Sequence, residues 1–341
     1  MVVYAIIVNA SPINHFQGGS MTEVNNNQEM LEKEAQQESE ISTRQRVERP
    51  KRRRRLGDRK DGYRLRTIHS MNKIMPFIMP HRNDACNSFA ETLDVTEAEK
   101  FVSEQLIAGK ENFSMLHVII AAYVRTVSQH PALNRFINGQ RVYARNDIQV
   151  TMTVKKEMSI ESPDTCIKVW FEPDDTIFDV YDKFNKVVAE AKEEENGNSG
   201  FESVLGALAG LPRPLLRIAV KALTIMDYYG LLPTSLLKVS PFHGSMIITS
   251  MGSLGIKPIY HHIYNFGNLP VFVSYGTKRR EVSYDRKGNM VTKKVIDMKM
   301  VTDERICDGF QYATAFKCWK KYIENPALLV EPPETVKYDV D

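Results

Sequence analysis

The stretch LPVFVSYGTKRREVSYDRKGNMVTKKVIDMKMVTD, residues 269 to 303, constrains the fold more than any other. It is two long runs rich in Val, Tyr, Phe and Thr, separated by the turn sequence DRKGN, and this reads as a β-hairpin. A hairpin pairs its strands antiparallel, so the chain cannot be built from βαβ repeats alone. GSMIITSMGS and CIKVWFE read as further strands, and RVYARNDIQVTMTVKKE as two strands across a turn at Asn146–Asp147. No G-x-G-x-x-G or P-loop pattern occurs, which argues against nucleotide folds of those types.

Helices alternate with these strands. DVTEAEKFVSEQLI opens with Asp94 as an N-cap and Glu97 three residues on, a capping-box pattern. SMLHVIIAAYVRTVSQH is helical from Ser114, with an apolar stripe of Leu116, Ile119, Ile120, Tyr123, Val124 and Val127, and Pro131 ends it. TIFDVYDKFNKVVAEAKEEE is an amphipathic helix. GFQYATAFKCWKKYIEN closes the fold as a helix with Phe310, Ala313, Phe316 and Trp319 at helical spacing. The result is mixed α and β, fold class α/β, with antiparallel hairpins rather than regular βαβ repetition.

The 43% apolar content suits a globular core, but charge is spread unevenly over the 341 residues. Residues 49 to 66, RPKRRRRLGDRKDGYRLR, hold ten Lys and Arg against Asp58 and Asp61, whereas the whole chain carries only +3. Residues 1 to 60 read as a disordered tail ending in this basic linker, because residues 21 to 48 have few large apolar groups to offset ordering entropy. The basic run is a solvated linker or a weak contact for an anionic surface. No aromatic residue is interleaved before Tyr63, so nucleic acid is not expected. Four cysteines without C-x-x-C spacing suggest neither a zinc site nor a disulfide framework, and no metal is expected. No uninterrupted apolar run approaches the ~18 residues of a membrane span, and the opening MVVYAIIVNA lacks a basic leader, so the expected location is the cytoplasm. Met21, after QGGS, is a candidate alternative start.

Near the C terminus, VTDERICDGF crowds Asp303, Glu304 and Asp308 around Arg305. D-E-R-x-x-D-G after a strand and before the last helix resembles the D-H-R-x-x-D-G signature of the catalytic domain of 2-oxo acid dehydrogenase acyltransferases. Their relative, chloramphenicol acetyltransferase, carries H-H-x-x-x-D-G. Other segments agree in order over residues 65 to 325. IHSMNKIMPFIM is similar to the family's first helix, and HVIIAAYVRTVSQHPALNRFI to its helix ending in Pro-x-Leu-Asn. TSMGSLGI is similar to its S-x-L-G-x-x-G turn, and LPVFVSYGTKR to the strand before the hairpin. The resemblance implies a two-layer α+β sandwich of the chloramphenicol acetyltransferase-like kind over residues 61 to 330, a mixed sheet with flanking helices, followed by a short tail at 331 to 341. It further implies a homotrimer with active sites between subunits, and coenzyme A as substrate. The family's histidine is the general base, the aspartate four residues later is structural and paired with a basic group, and a Ser or Thr stabilises the oxyanion.

Arg305, Asp308 and Gly309 match the signature, but Glu304 stands where the family keeps its histidine. An unperturbed glutamate titrates near ~4.3 against ~6.5 for histidine, so Glu304 needs a tuned site to act as base. His261 and His262 in PIYHHIYNF are the rival source of a base, and loss of chemistry, leaving an acyl-CoA-binding or trimeric scaffold protein, is the third reading. Ser250 is the candidate oxyanion donor, with Thr249 beside it. The family often has Arg at Asn72, leaving Lys73 or Arg66 to pair with Asp308. Residues 199 to 244 form an insertion cut by Pro212, Pro214, Pro233 and Pro241, with an apolar face of Leu215, Leu216, Ile218, Ala219, Ala222 and Leu223. Its readings are a helical pair covering extra core, a lid over an acyl channel, or a membrane-surface contact. Residues 1 to 60 are too short and polar to hold a lipoyl domain, so no covalently bound lipoyl group is expected and a lipoylated or acyl-carrier partner would supply one.

Overall fold

A computed structural model describes residues 50, 52–155, 164–193, 200–284 and 286–339. All described secondary structure belongs to one compact unit that takes in the chain from Arg52 onward. The polar segment before the basic run, the candidate start at Met21, and the ends of the KKE and EEE runs lie outside the described residues.

The long hairpin forms as its sequence predicts, as β8 (Val271–Tyr284) and β9 (Met290–Asp303). Around it, β2 (Cys86–Asp94), β5 (Ile148–Lys155), β6 (Asp164–Phe171) and β7 (Met246–Ser250) complete a six-stranded mixed sheet in the order β2-β9-β8-β7-β5-β6. The β5–β7 and β7–β8 pairs are parallel and the rest antiparallel. A second, antiparallel sheet has the order β1-β4-β3, from Gly62–Arg64, Arg141–Arg145 and Arg135–Asn138. The two strands flanking Asn146–Asp147 are therefore not hairpin partners. β4 and β5 enter different sheets, and local pattern cannot show this because a partner is chosen by long-range packing.

Helices α1 (Ser70–Ile78), α2 (Thr96–Ile107), α3 (Met115–Gln129) and α4 (Ile177–Glu193) precede the insertion. The insertion supplies α5 (Gly200–Ala209), α6 (Arg213–Tyr228) and α7 (Thr234–Val239), and α8 (Gly309–Glu324) follows the signature. Asp94 ends β2 rather than capping α2, although its Oδ1 still accepts hydrogen bonds from the Thr96 N–H and hydroxyl. The helix expected from Ser114 starts at Met115, and Ser114 caps it in a capping box completed by His117. Every residue of α3 from Met115 to Ser128 is buried, so it is enclosed on all sides rather than along a stripe.

The main core lies between the sheet and α3, α4 and α8. In α8 the buried face is Ala315, Trp319 and Ile323, whereas Phe310 and Ala313 are exposed. Trp319 is fully buried. Its indole N–H donates to the Ile119 carbonyl at 3.1 Å, and its ring lies 5.2 Å from Tyr123. Since α8 begins in the signature, this anchor also holds the signature's helix on the core. Trp319→Ala should lose about 3–5 kcal/mol of stability, read by urea denaturation.

Candidate active site

The three acids of the signature have separate environments. Asp303 ends β9 opposite Cys86 and is buried. Arg305 grips it from its own turn, Nε to Oδ1 and Nη2 to Oδ2, both at 2.7 Å. Arg82 Nε lies 3.4 Å from the same carboxylate. Asp308 is exposed and caps α8, its Oδ1 accepting from the N–H groups of Phe310 and Gln311 at 3.0 and 2.9 Å. Glu304 stands between them, half-buried. Its N–H donates to the Ala85 carbonyl at 2.9 Å, and its carboxylate makes no hydrogen bond or ion pair among the described residues.

Asp308 thus departs from the expected buried, cation-paired state. Helix N–H groups and the positive end of the helix dipole stabilise it instead. Arg66 pairs with Asp58 at 3.1 Å, and Lys73 lines a different cavity with Phe77 and Leu65. The buried acid that takes the guanidinium partners is Asp303, which the sequence reading left without a role. Its signal was present in Arg305, two residues on, a spacing that lets one turn close on its own carboxylate.

Ser250 is buried at the end of β7 and interacts with the Tyr275 hydroxyl, which burial pushes up to about 12. Thr249 is buried beside it, its hydroxyl 3.9 Å from the Met251 sulfur. The turn after Ser250 needs its glycines: a Cβ on Gly252 would sit 2.6 Å from the Gly276 carbonyl oxygen, and Gly255 has φ +73°. Register fixes how far this strand end lies from the signature. Ser250 is opposite Tyr275, and Tyr275 is opposite Met298. Asp303 is five residues further along β9, on the order of 17 Å at the usual strand rise. One chain therefore does not bring Ser250 and Glu304 together.

His261 stacks on Phe272, ring centroids 4.1 Å apart and 7° from parallel, and its Nδ1 lies 2.9 Å from the His262 carbonyl oxygen. Burial lowers the His261 pKa, while His262 is exposed. Phe272 pairs with Val301, so His261 sits over a row three residues before Glu304, about 10 Å along the strand. Among the described residues, no group of three or more His, Cys, Asp or Glu side chains is placed to hold a metal ion.

With the strand, signature turn and helix in place, comparison with known families is informative. Residues 231–331 match the family model "2-oxoacid dehydrogenases acyltransferase (catalytic domain)". The match is just under a third of the chain and spans β7, the His261–His262 segment, the hairpin, the signature and α8. No curated protein sequence matches. Among solved structures, a probable dihydrolipoamide acetyltransferase from Listeria monocytogenes 4b F2365 is similar at 12% identity and TM-score 0.49, over 81% of this chain and 99% of that one. The Azotobacter vinelandii dihydrolipoamide acetyltransferase is similar at 13% identity and TM-score 0.45, over 78% and 94%. A chloramphenicol acetyltransferase is similar at 14% identity and TM-score 0.47, over 74% and 94%.

The acyltransferase-like region also anchors a buried polar cluster that sequence reasoning missed. Arg59 reaches in from the basic run and contacts Asp61 and Asp227, each at 2.9 Å. Asp227 Oδ1 lies 3.3 Å from His243 Nε2, and His243 Nδ1 lies 2.8 Å from the Ser240 hydroxyl. Asn268 donates to Asp61 at 2.6 Å and accepts from Arg145 at 2.9 Å, while Arg145 lies over the Phe136 ring at 4.3 Å. The basic run is thus not a solvated linker throughout. Asp227 is the only acid between Glu202 and Glu281, a signal that it serves a particular place. With Arg82 and Arg305 it lines a cavity of about 110 Å³, which joins the end of α6 to the signature turn.

Burial by itself would raise the Asp227 pKa, but contact with His243 and the Arg59 guanidinium outweighs it and holds the carboxyl at about 2. A folded value below the unfolded ~3.9 adds stability that is present above ~3.9 and is lost as pH falls through the folded value. Arg59→Met should cost about 3–5 kcal/mol at neutral pH by stranding Asp227. It should also flatten the loss of stability on acidification toward pH 2, followed by urea midpoints across pH. In the signature, Asp303→Asn should cost about 3–5 kcal/mol, whereas Asp308→Ala should cost about 1 kcal/mol, measured the same way.

Proposed function

We propose that the chain is a coenzyme A-dependent acyltransferase with Glu304 as general base, working as a homotrimer whose sites form between copies. The observation that carries this reading is the division of labour among the signature's acids. Asp303 is locked by arginines and Asp308 caps a helix, while Glu304 makes no fold-holding side-chain contact among the described residues. It occupies the position of the family's base within the region that matches the family. The separation of Ser250 from Glu304 along the sheet supports a site shared between copies, with Ser250 of one facing Glu304 of the next. Exposed Met71, Ile74, Phe77 and Ile78 on α1 supply apolar surface for such packing.

In this mechanism Glu304 takes the proton of an acceptor thiol or hydroxyl as that atom attacks the thioester carbonyl of acyl-CoA. The Ser250 hydroxyl donates to the oxyanion of the tetrahedral intermediate. Collapse breaks the acyl–sulfur bond, and protonated Glu304 returns the proton to the coenzyme A thiolate. The acceptor is a small molecule or a lipoylated or acyl-carrier partner.

The test is release of coenzyme A thiol from acetyl- and longer acyl-CoA with candidate acceptors. Glu304→Gln should lower turnover by about 10²–10⁴-fold and Ser250→Ala by about 10²–10³-fold, while the His261→Ala/His262→Ala double variant keeps it. Turnover unchanged in Glu304→Gln and lost in the double variant would transfer the base role to the histidines. Acyl-CoA binding without turnover in every form would leave a scaffold.

A further inference from the structure

The insertion is not absorbed by the proposed reaction, and its surface is unusual. Only one side of α6 faces the fold. Leu216, Ala219, Leu223 and Met226 are half-buried, and Asp227 is buried at its end. At 100° per residue the other positions separate into two exposed stripes. One is apolar, with Leu215, Ile218 and Ile225 between 50% and 65% exposed. The other is basic, with Arg213, Arg217 and Lys221 at four-residue spacing, all exposed and making no ion pair among the described residues. The two stripes adjoin. The apolar face expected to cover extra core is thus divided, and a large part of it points to solvent.

Charge decides the occupant. From the start of α6 to the end of α7 the only acid is Asp227, which is buried against Arg59, so every exposed charge on these two helices is positive. The same ion pair pins the basic run to the end of α6, and Arg53, Arg54 and Arg55 are exposed on that run. A second copy meeting this face through its own α6 would set cation against cation. An anionic bilayer fits both stripes, taking the apolar residues into its acyl boundary and the basic ones at headgroup level. No helix among the described residues is long and apolar enough to cross a membrane, so the contact lies on the surface.

We propose that α6 is an interfacial helix that seats this protein on an anionic membrane surface, with Leu215, Ile218 and Ile225 inserted and Arg213, Arg217 and Lys221 on the headgroups. The proposal stands apart from the catalytic role of Glu304, and its test reads no activity. The full-length chain is sedimented with vesicles of phosphatidylcholine alone and with vesicles that also contain phosphatidylserine. It should bind the second kind, more weakly as salt rises. Arg213→Gln/Arg217→Gln/Lys221→Gln should weaken binding by about a hundredfold, at roughly 1 kcal/mol per basic residue. Ile218→Ser/Ile225→Ser should weaken it by about tenfold or more. Both sets of side chains are exposed, so thermal melts should match the wild type. Four results would overturn the proposal: no vesicle binding, equal binding to both vesicle types, a folded variant of either kind that binds like the wild type, or light scattering showing that the Ile218 variant breaks up an oligomer, which would assign the face to a second copy.

Discussion

A buried carboxylate held by two guanidinium groups organises this molecule around its signature. Asp303 pairs with both Arg305 and Arg82, and each arginine directs other donors to backbone carbonyls from distant parts of the chain. Arg305 reaches Met79 beyond the first helix, while Arg82 reaches Ile137 in the small sheet and Tyr264 in the loop before the hairpin. Four segments remote in sequence thereby meet at one charge. Removing such a charge strands its partners in a medium that solvates them poorly, so the arrangement is held as a unit.

Glu304 follows from this arrangement. The lock on Asp303 fixes the backbone on one side, and the Asp308 cap fixes it on the other. The residue between them is positioned by its neighbours' contacts and its own backbone hydrogen bond to Ala85, not by its side chain. A side chain placed without a structural partner of its own leaves its carboxylate open to a ligand, which suits the proposed role as base. The insertion obeys a related logic, because Arg59 and Asp227 secure one end of α6 and leave the rest of that helix to present charge and apolar surface outward.

The hairpin, the helix near Ser114 and the last helix were legible because each depends on local pattern: alternation around a turn, and apolar residues at helical spacing. The sheet assignment of the strands flanking Asn146–Asp147 was not, since either strand has the residues to pair with several others. The exposed side of α6 was hidden for a similar reason. Its apolar spacing looks the same whether core or solvent lies against it, and only the scarcity of acids between Glu202 and Glu281, where Asp227 stands alone, hinted at the difference.

At the site, sequence by itself determined that Glu304 lies within D-E-R-x-x-D-G between a strand and the last helix, because spacing and flanking elements are written in the residue order. It could not rank the three acids, since ionisable side chains so close together differ only in what surrounds them. Tertiary structure decided that Asp303 is the locked one, Asp308 the helix cap and Glu304 the one without a structural partner among the described residues. It also decided that Ser250 and Glu304 lie far apart in one chain. Strand register sets that distance, and register is fixed by which faces are buried, a property of the packed sheet rather than of any one strand.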